Sequence, residues 1–173
     1  TNIEEIINAS DGVMVARGDL AVEIGYAEVP LVRKEIADRA RNLNKPVIIA
    51  TQMMESMIES TVPTRAEVSD VANAVLENAD AVMLSAETAA GKHPAVVVEA
   101  MHNICITVEQ QPTSQLSTHR VETRFARIDE AIAMATMYTA NHLDVKAVIS
   151  LTESGATPLC MSRIRTGMPI YGL

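Results

Sequence analysis

Val13-Met14-Val15-Ala16-Arg17-Gly18-Asp19-Leu20 joins a short apolar strand directly to a cation, a glycine and a carboxylate. Those residue types suit a metal-assisted anion site. Gly18 lets backbone approach a ligand, Asp19 can hold a hard cation through oxygen, and Arg17 can meet phosphate or carboxylate. The same pattern returns twice downstream. Lys45-Pro46-Val47-Ile48-Ile49-Ala50 runs into Thr51-Gln52, and Asp80-Ala81-Val82-Met83-Leu84 runs into Ser85-Ala86-Glu87-Thr88.

Short, bounded runs rich in Val and Ile fit strands buried on both faces. Between the first two, Val29, Val32, Ile36, Ala40 and Leu43 recur at helical spacing until Asn44 and Pro46 stop them. Thr64-Arg65-Ala66-Glu67 is a capping box that opens a second helix through Val68, Val71, Ala72, Val75 and Leu76. A third helix is predicted from Pro94 to Glu109, despite the β-prone Val96-Val97-Val98 run. Alternating strands and helices imply a parallel sheet whose reactive groups lie at the carboxyl ends of the strands. Arg17 to Asp19, Thr51 to Gln52 and Ser85 to Thr88 then belong to one rim.

From Gln110 to Thr118 the chain is polar and without period, which reads as a linker. Beyond it, Ile128 to His142 is predicted helical, with Ile132, Met134, Ala135, Tyr138 and Leu143 as its apolar face. Ala147 to Thr152 is a predicted strand, Glu153 to Thr157 a turn, Pro158 to Arg165 a helix stopped by Gly167, and Pro169 to Leu173 a strand. The expected division is residues 1–110, a linker at 111–127, and a small α/β module at 128–173. Three strand-helix units cannot close an eight-stranded barrel, and the chain starts without methionine inside a helix, Ile3 to Ala9; it is therefore expected to be an internal fragment.

The net charge is -8, and aromatic residues make up 2% of the chain. Both speak against nucleic acid, which calls for basic patches and stacking platforms. No apolar run is long enough to cross a bilayer and no signal peptide is visible, so a cytoplasmic protein without membrane partner is expected. Cys105 and Cys160 sit in apolar company and read as buried thiols outside any disulfide. His93, His102, His119 and His142 show no metal-ligand spacing.

Five segments taken in order, Ser10 to Leu20, Ala50 to Met57, Pro63 to Glu67, Asp70 to Val75 and Met83 to Ala89, resemble the pyruvate kinase family, most of all its bacterial form. Glu130-Ala131-Ile132-Ala133 and Leu151-Thr152-Glu153-Ser154-Gly155 resemble the start of that family's carboxyl-terminal domain. The resemblance implies an α/β fold: the last three βα units of a TIM (β/α)8 barrel, followed by part of a small α/β regulatory domain. It implies phosphoryl transfer between phosphoenolpyruvate and ADP, giving pyruvate and ATP in glycolysis, with Mg²⁺ or Mn²⁺ and K⁺ as cofactors and a homotetramer as the full-length assembly. By the same resemblance Asp19 is the divalent-cation ligand and Arg17, Gly18, Asp19 and Thr51 contact the substrate. Thr51 and Ser85 are the catalytic candidates, Ser85 as a member of a proton relay. Thr152, Ser154, Gly155 and Thr157 are candidates for a turn that binds the phosphate of an effector, since helix N-termini and hydroxyls suit anions. The family's catalytic lysine and a second metal carboxylate belong upstream of Thr1, so the isolated chain is expected to be inactive. Ala21 stands where the family usually has glycine, which implies a stiffer loop after Asp19, and Ala156 where arginine is common.

Simpler readings stand beside these. Thr64 and Glu67 need be no more than a cap, with subunit contact the other possibility for Arg65 and Glu67; Glu23 a solvated loop acid; Met53, Met54 and Met57 core filling; and Asp19 a helix N-cap. Glu87 is either a ligand-site acid or a helix-start charge. Two other functions compete: another phosphoenolpyruvate or pyruvate barrel enzyme, and a non-catalytic module that only binds a phosphorylated effector through Thr152 to Thr157.

Overall fold

The computed structural model describes residues 2–111, 124–125, 127–164 and 166–173, which fall into two compact units, 1–108 and 109–173. The polar stretch from Pro112 to Thr118, read above as linker, lies outside the described residues.

In the first unit the order is α1 (Ile3–Asn8), β1 (Val13–Ala16), α2 (Arg17–Ile24), α3 (Val29–Asn42), β2 (Val47–Ala50), a 3-10 turn (Glu55–Ile58), α4 (Arg65–Leu76), β3 (Ala81–Val82), α5 (Ala86–Ala89) and α6 (Pro94–Glu109). The strands form a parallel sheet in the order β1-β2-β3, with Val13 beside Val47, Val15 beside Ile49 and Ile49 beside Val82. Parallel neighbours require the helical crossovers that the apolar spacing indicated. β3 is shorter than the predicted Asp80 to Leu84. Its flanks still join the ladder, as Asp80 N-H donates to the Val47 carbonyl at 2.8 Å and Met83 N-H to that of Ile49 at 2.9 Å.

Val15, Val47 and Ile49 point into a core with Ile7, Ala37, Ala40, Val71, Ala74, Val97 and Met101. The opposite face carries the exposed Met14 and Ile48. Met53, Met54 and Met57 are fully buried, as core-filling side chains should be. On α3 the buried stripe is Arg33, Ala37 and Ala40, displaced from the predicted one; Ile36 and Leu43 only pack at its margin. The helix ends where Asn44 takes a left-handed φ of 59° and Lys45 N-H reaches back to the Ala40 carbonyl at 2.9 Å. Val96-Val97-Val98 is helical because Val97 is drawn into the core, and tertiary burial outweighs β propensity.

The Thr64 box closes in both directions. Glu67 N-H donates to Thr64 Oγ1 at 3.3 Å, and Thr64 N-H donates to Glu67 Oε2 at 2.7 Å. The same carboxylate accepts from Ser56 N-H at 2.7 Å and from Ser56 Oγ at 2.6 Å, which fastens the 3-10 turn to α4. Partial burial works to raise the Glu67 pKa, but the hydrogen bonds from Ser56 and Thr64 outweigh it and hold the carboxyl below its ordinary value.

The second unit contains α7 (Ile128–Asn141), β4 (Val148–Ser150), α8 (Ala156–Ser162) and β5 (Ile170–Gly172), with β4 parallel to β5. Its core is Ala133, Met137, Ala140, Val148, Met161 and Ile164. The expected apolar face of α7 is corrected here: Ile132, Tyr138 and Leu143 are more than half exposed, and Ala133, Met137 and Ala140 face inward. Small residues let α7 lie close to α8, a preference that hydrophobicity counting does not register. Helix α8 begins two residues before the expected Pro158 and ends before Arg165, since proline is tolerated within a first turn. Cys105 and Cys160 are only half-buried; neither forms a disulfide.

Removing the cap by Thr64→Ala is expected to cost about 1 kcal/mol of stability in the full-length protein, read as a shift in urea midpoint. Because the Glu67 pKa is lowered on folding, its contribution is complete above the ordinary carboxylate pKa and is lost as pH falls through the folded value. The stability gap between wild type and Glu67→Gln should therefore narrow on acidification below that ordinary value; a gap that widens would refute the sign.

Candidate functional site

β1 passes into α2 without a loop: Ala16 is the last strand residue and also the N-cap, so Arg17, Gly18 and Asp19 form the first helical turn. The reading of Asp19 as an N-cap is thus replaced by a position inside the first turn, where a carboxylate is favoured by the helix dipole. Ala21 lies in this helix with its side chain buried, so no loop follows Asp19 to be stiffened. Glu23 is an exposed residue of the same helix.

At the end of β2 the backbone turns through two successive left-handed residues, Thr51 with φ 69° and Gln52 with φ 53°. For a β-branched residue this conformation is strained and persists only where neighbours enforce it. Here both sides of Thr51 are held by the first strand end. Gly18 N-H donates to Thr51 Oγ1 at 3.0 Å, and Arg17 Nη2 donates to the Thr51 carbonyl at 2.7 Å. Arg17 also reaches the Ala50 carbonyl at 3.4 Å and Met53 Sδ at 2.9 Å, and its Nη1 pairs with Asp70 Oδ2. The guanidinium is therefore mostly covered and its donors are largely directed at protein acceptors. A Cβ on Gly18 would come no nearer than 3.7 Å to Thr51 Oγ1, so glycine is not demanded there by packing.

Glu87 joins the second strand end to the third. Its buried carboxylate accepts from Met54 N-H at 3.1 Å and from Ser85 N-H at 2.7 Å. Of the two readings of Glu87, an inward-turned helix-start charge describes the structure. Ser85 is the N-cap of α5, and among the described residues its hydroxyl meets no partner. Gly91 packs so tightly on the Glu87 carbonyl that a Cβ would overlap it. The three strand ends thus meet through Thr51 and Glu87.

Two residues essential to this arrangement escaped the sequence reading. Asp70 bridges Arg17 and Arg33, and Arg33 in turn pairs with Glu77 Oε1 at 2.9 Å. A charge lying within the apolar stripe of α3 was the available signal. The left-handed pair Thr51-Gln52 left none, having neither glycine nor asparagine.

Residues 1–98 match the model of the pyruvate kinase barrel domain, and residues 130–173 that of the pyruvate kinase alpha/beta domain. The chain belongs to the pyruvate kinase family. It is 56% identical over 172 residues to a pyruvate kinase of Buchnera aphidicola, covering 99% of this chain and 36% of that protein. It is 55% identical to one from Haemophilus influenzae over the same shares of each chain. A crystal structure of a pyruvate kinase from Cryptosporidium parvum superposes with a TM-score of 0.90 at 38% identity, covering 99% of this chain and 35% of that one. The chain therefore spans about a third of the length of these relatives, and its first unit is a part of the family's barrel.

Asp19 is exposed, and among the described residues no ion pair or side-chain hydrogen bond engages it. An uncommitted, exposed carboxylate suits a hard cation held otherwise by water and substrate oxygens. The described residues contain no group of three or more His, Cys, Asp or Glu able to enclose a metal, so Asp19 can supply one ligand of such a shell. In the second unit, Gly155, with φ 77°, donates its N-H to Thr152 Oγ1 at 3.0 Å, and Ala156 N-H donates to Ser154 Oγ at 3.3 Å. The turn at Thr152 to Thr157 is thus partly closed on itself.

The left-handed geometry predicts opposite outcomes for two substitutions at Gln52 in the full-length protein. Gln52→Gly is expected to leave stability within about 0.5 kcal/mol of wild type, whereas Gln52→Val is expected to cost about 1–2 kcal/mol. Equal losses in denaturant titration would show that the turn carries no strain.

Proposed function

We propose that the full-length protein transfers a phosphoryl group between phosphoenolpyruvate and ADP, as a glycolytic pyruvate kinase. The observation that carries this reading is the exposed Asp19 set in the first turn of α2 beside the braced Thr51, in a chain of this family. We assign residues 1–110 to the carboxyl-terminal part of the catalytic barrel, 111–127 to a linker and 128–173 to the start of the regulatory domain. We further propose Mg²⁺ or Mn²⁺ and K⁺ as cofactors, a cytoplasmic location and a homotetrameric assembly, a reading supported by membership of this family. Among the described residues no helix is long and apolar enough to cross a membrane.

In this mechanism Asp19 holds the divalent cation, which supplies positive charge next to the substrate's oxygens when bound. Backbone N-H groups of the first turn of α2 next to Gly18, whose own N-H is held by Thr51 Oγ1, receive the substrate carboxylate, where the helix dipole favours negative charge. Arg17 adds its charge and its remaining Nη1 donor while keeping Thr51 in place. Thr51 borders the carbon that gains a proton when enolpyruvate becomes pyruvate, and the Ser85 hydroxyl, held at the neighbouring strand end by the Ser85 N-H bond to Glu87, belongs to the relay that carries that proton. The chain spans about a third of the length of its relatives, and the isolated stretch is expected to show no turnover.

Asp19→Asn should lower kcat by about a hundredfold or more while leaving ADP binding nearly unchanged, because charge at this position matters most in the transition state. Steady-state kinetics at saturating Mg²⁺ test this, and near-normal turnover would overturn the assignment. Thr51→Ala should instead change the phosphoenolpyruvate KM or the rate of pyruvate enolisation; an effect confined to ADP would place Thr51 wrongly.

We also assign Thr152, Ser154, Gly155 and Thr157 to a turn that accepts a phosphorylated effector, a reading supported by hydroxyls and backbone N-H groups gathered at the start of α8. Ser154→Ala with Thr157→Ala should raise the concentration of sugar phosphate needed for half-activation about a hundredfold or more, as expected for two lost hydrogen bonds to a charged group. An unchanged activation curve for every phosphorylated effector would reduce the turn to a helix cap.

A further inference from the structure

Arg33 is a buried cation on α3 that the proposed chemistry does not use. Its side chain is 7% exposed. Nη1 donates to Asp70 Oδ1 at 3.0 Å and Nη2 to Glu77 Oε1 at 2.9 Å, while its Nε has no hydrogen-bond partner. A guanidinium kept in such a place without full hydrogen bonding is weak evidence for stability, since well-packed apolar residues often serve as well or better. Its position in a chain of contacts is more informative. Asp70 uses one oxygen on Arg33 and the other on Arg17, and Arg17 in turn grips the Thr51 carbonyl.

We propose that Arg33 is a positioning residue for the rim site: by fixing the Asp70 carboxylate it aims the Arg17 guanidinium, and so holds Thr51 in the left-handed conformation that places Oγ1 on the Gly18 N-H. Among the described residues Arg33 makes no hydrogen bond or ion pair to the strand-end residues themselves. Without it, Asp70 keeps one cation instead of two and can rotate about its side-chain bonds, and the Arg17 fork loses its fixed counter-charge. Thr51 then relaxes toward ordinary φ values, and the strain released opposes recovery of the active geometry. Ion-pair chains of this kind act as units, so paired substitutions should fall short of additivity.

The inference rests on the proposed function, and the tests separate the two. In the full-length enzyme, turnover of phosphoenolpyruvate and ADP by wild type tests the function. Arg33→Met, which keeps the length of the stem without the fork, tests the positioning role. It should lower kcat/KM for phosphoenolpyruvate about tenfold with the ADP KM unchanged, as a displaced reacting geometry does. Arg33→Lys should recover only part of the loss, because an ammonium cannot bridge two carboxylates with a planar fork. Combined with Asp70→Asn, Arg33→Met should add less than its separate effect. A readout free of turnover is amide exchange: the segments containing Gly18 and Thr51 should exchange faster in Arg33→Met, with α6 unchanged. If Arg33→Met does not fold, Glu77→Gln, which releases the far side of the guanidinium, should give the same pattern more weakly. A lower melting temperature with unchanged kcat/KM and unchanged exchange at Gly18 and Thr51 would make Arg33 purely structural and overturn the proposal.

Discussion

The guanidinium of Arg17 connects more of the rim than any other described group. It leaves the end of β1, crosses to the carbonyls of Ala50 and Thr51 at the end of β2, and meets Asp70 on α4. A planar cation with several fixed donors can satisfy carbonyl and carboxylate acceptors at once, which a lysine at the same place could not. Without the guanidinium the two carbonyls would lose a charged donor in a partly covered space, and Asp70 would keep Arg33 as its one cation. The first two strand ends are thereby locked in register beyond what the β ladder provides.

From that lock follows the shape of the site. A left-handed threonine is an unfavourable conformation that two bonds from the neighbouring strand end hold in place. The third strand end is tied in by Glu87, whose carboxylate accepts from Met54 N-H and Ser85 N-H beyond the last ladder bond, Met83 N-H to the Ile49 carbonyl. A parallel sheet normally relies on loops to shape its carboxyl rim. Here the first strand turns directly into a helix, leaving Asp19 with a defined direction and no loop freedom.

The charge network extends this order outward. Arg17, Asp70, Arg33 and Glu77 alternate in sign from the rim into the helical layer. Each interior member meets opposite charges on both sides, the arrangement under which buried ions can be tolerated. The open face of the sheet, with Met14 and Ile48 exposed, is the side a complete barrel fills with layers of side chains. Helical cover on one face and apolar residues on the other describe a part of a barrel wall.

The strand and helix order, the capping box at Thr64, the helix from Pro94 and the core methionines were legible in the sequence because each depends on neighbours a few residues away. So was the family, since three of its five ordered motifs encode strand-to-rim transitions and the other two the start and body of α4. Tertiary structure alone decided the rest. Which stripe of α3 and α7 faces inward depends on the size of the opposing residues, so alanines and Arg33 displaced the larger side chains that hydrophobicity favoured. The left-handed turn at Thr51-Gln52 goes against local propensity and exists because Arg17 and Gly18, more than thirty residues earlier, stabilise it. A sequence states the cost of such a conformation, but the compensating bonds come into being only when the strand ends are brought together.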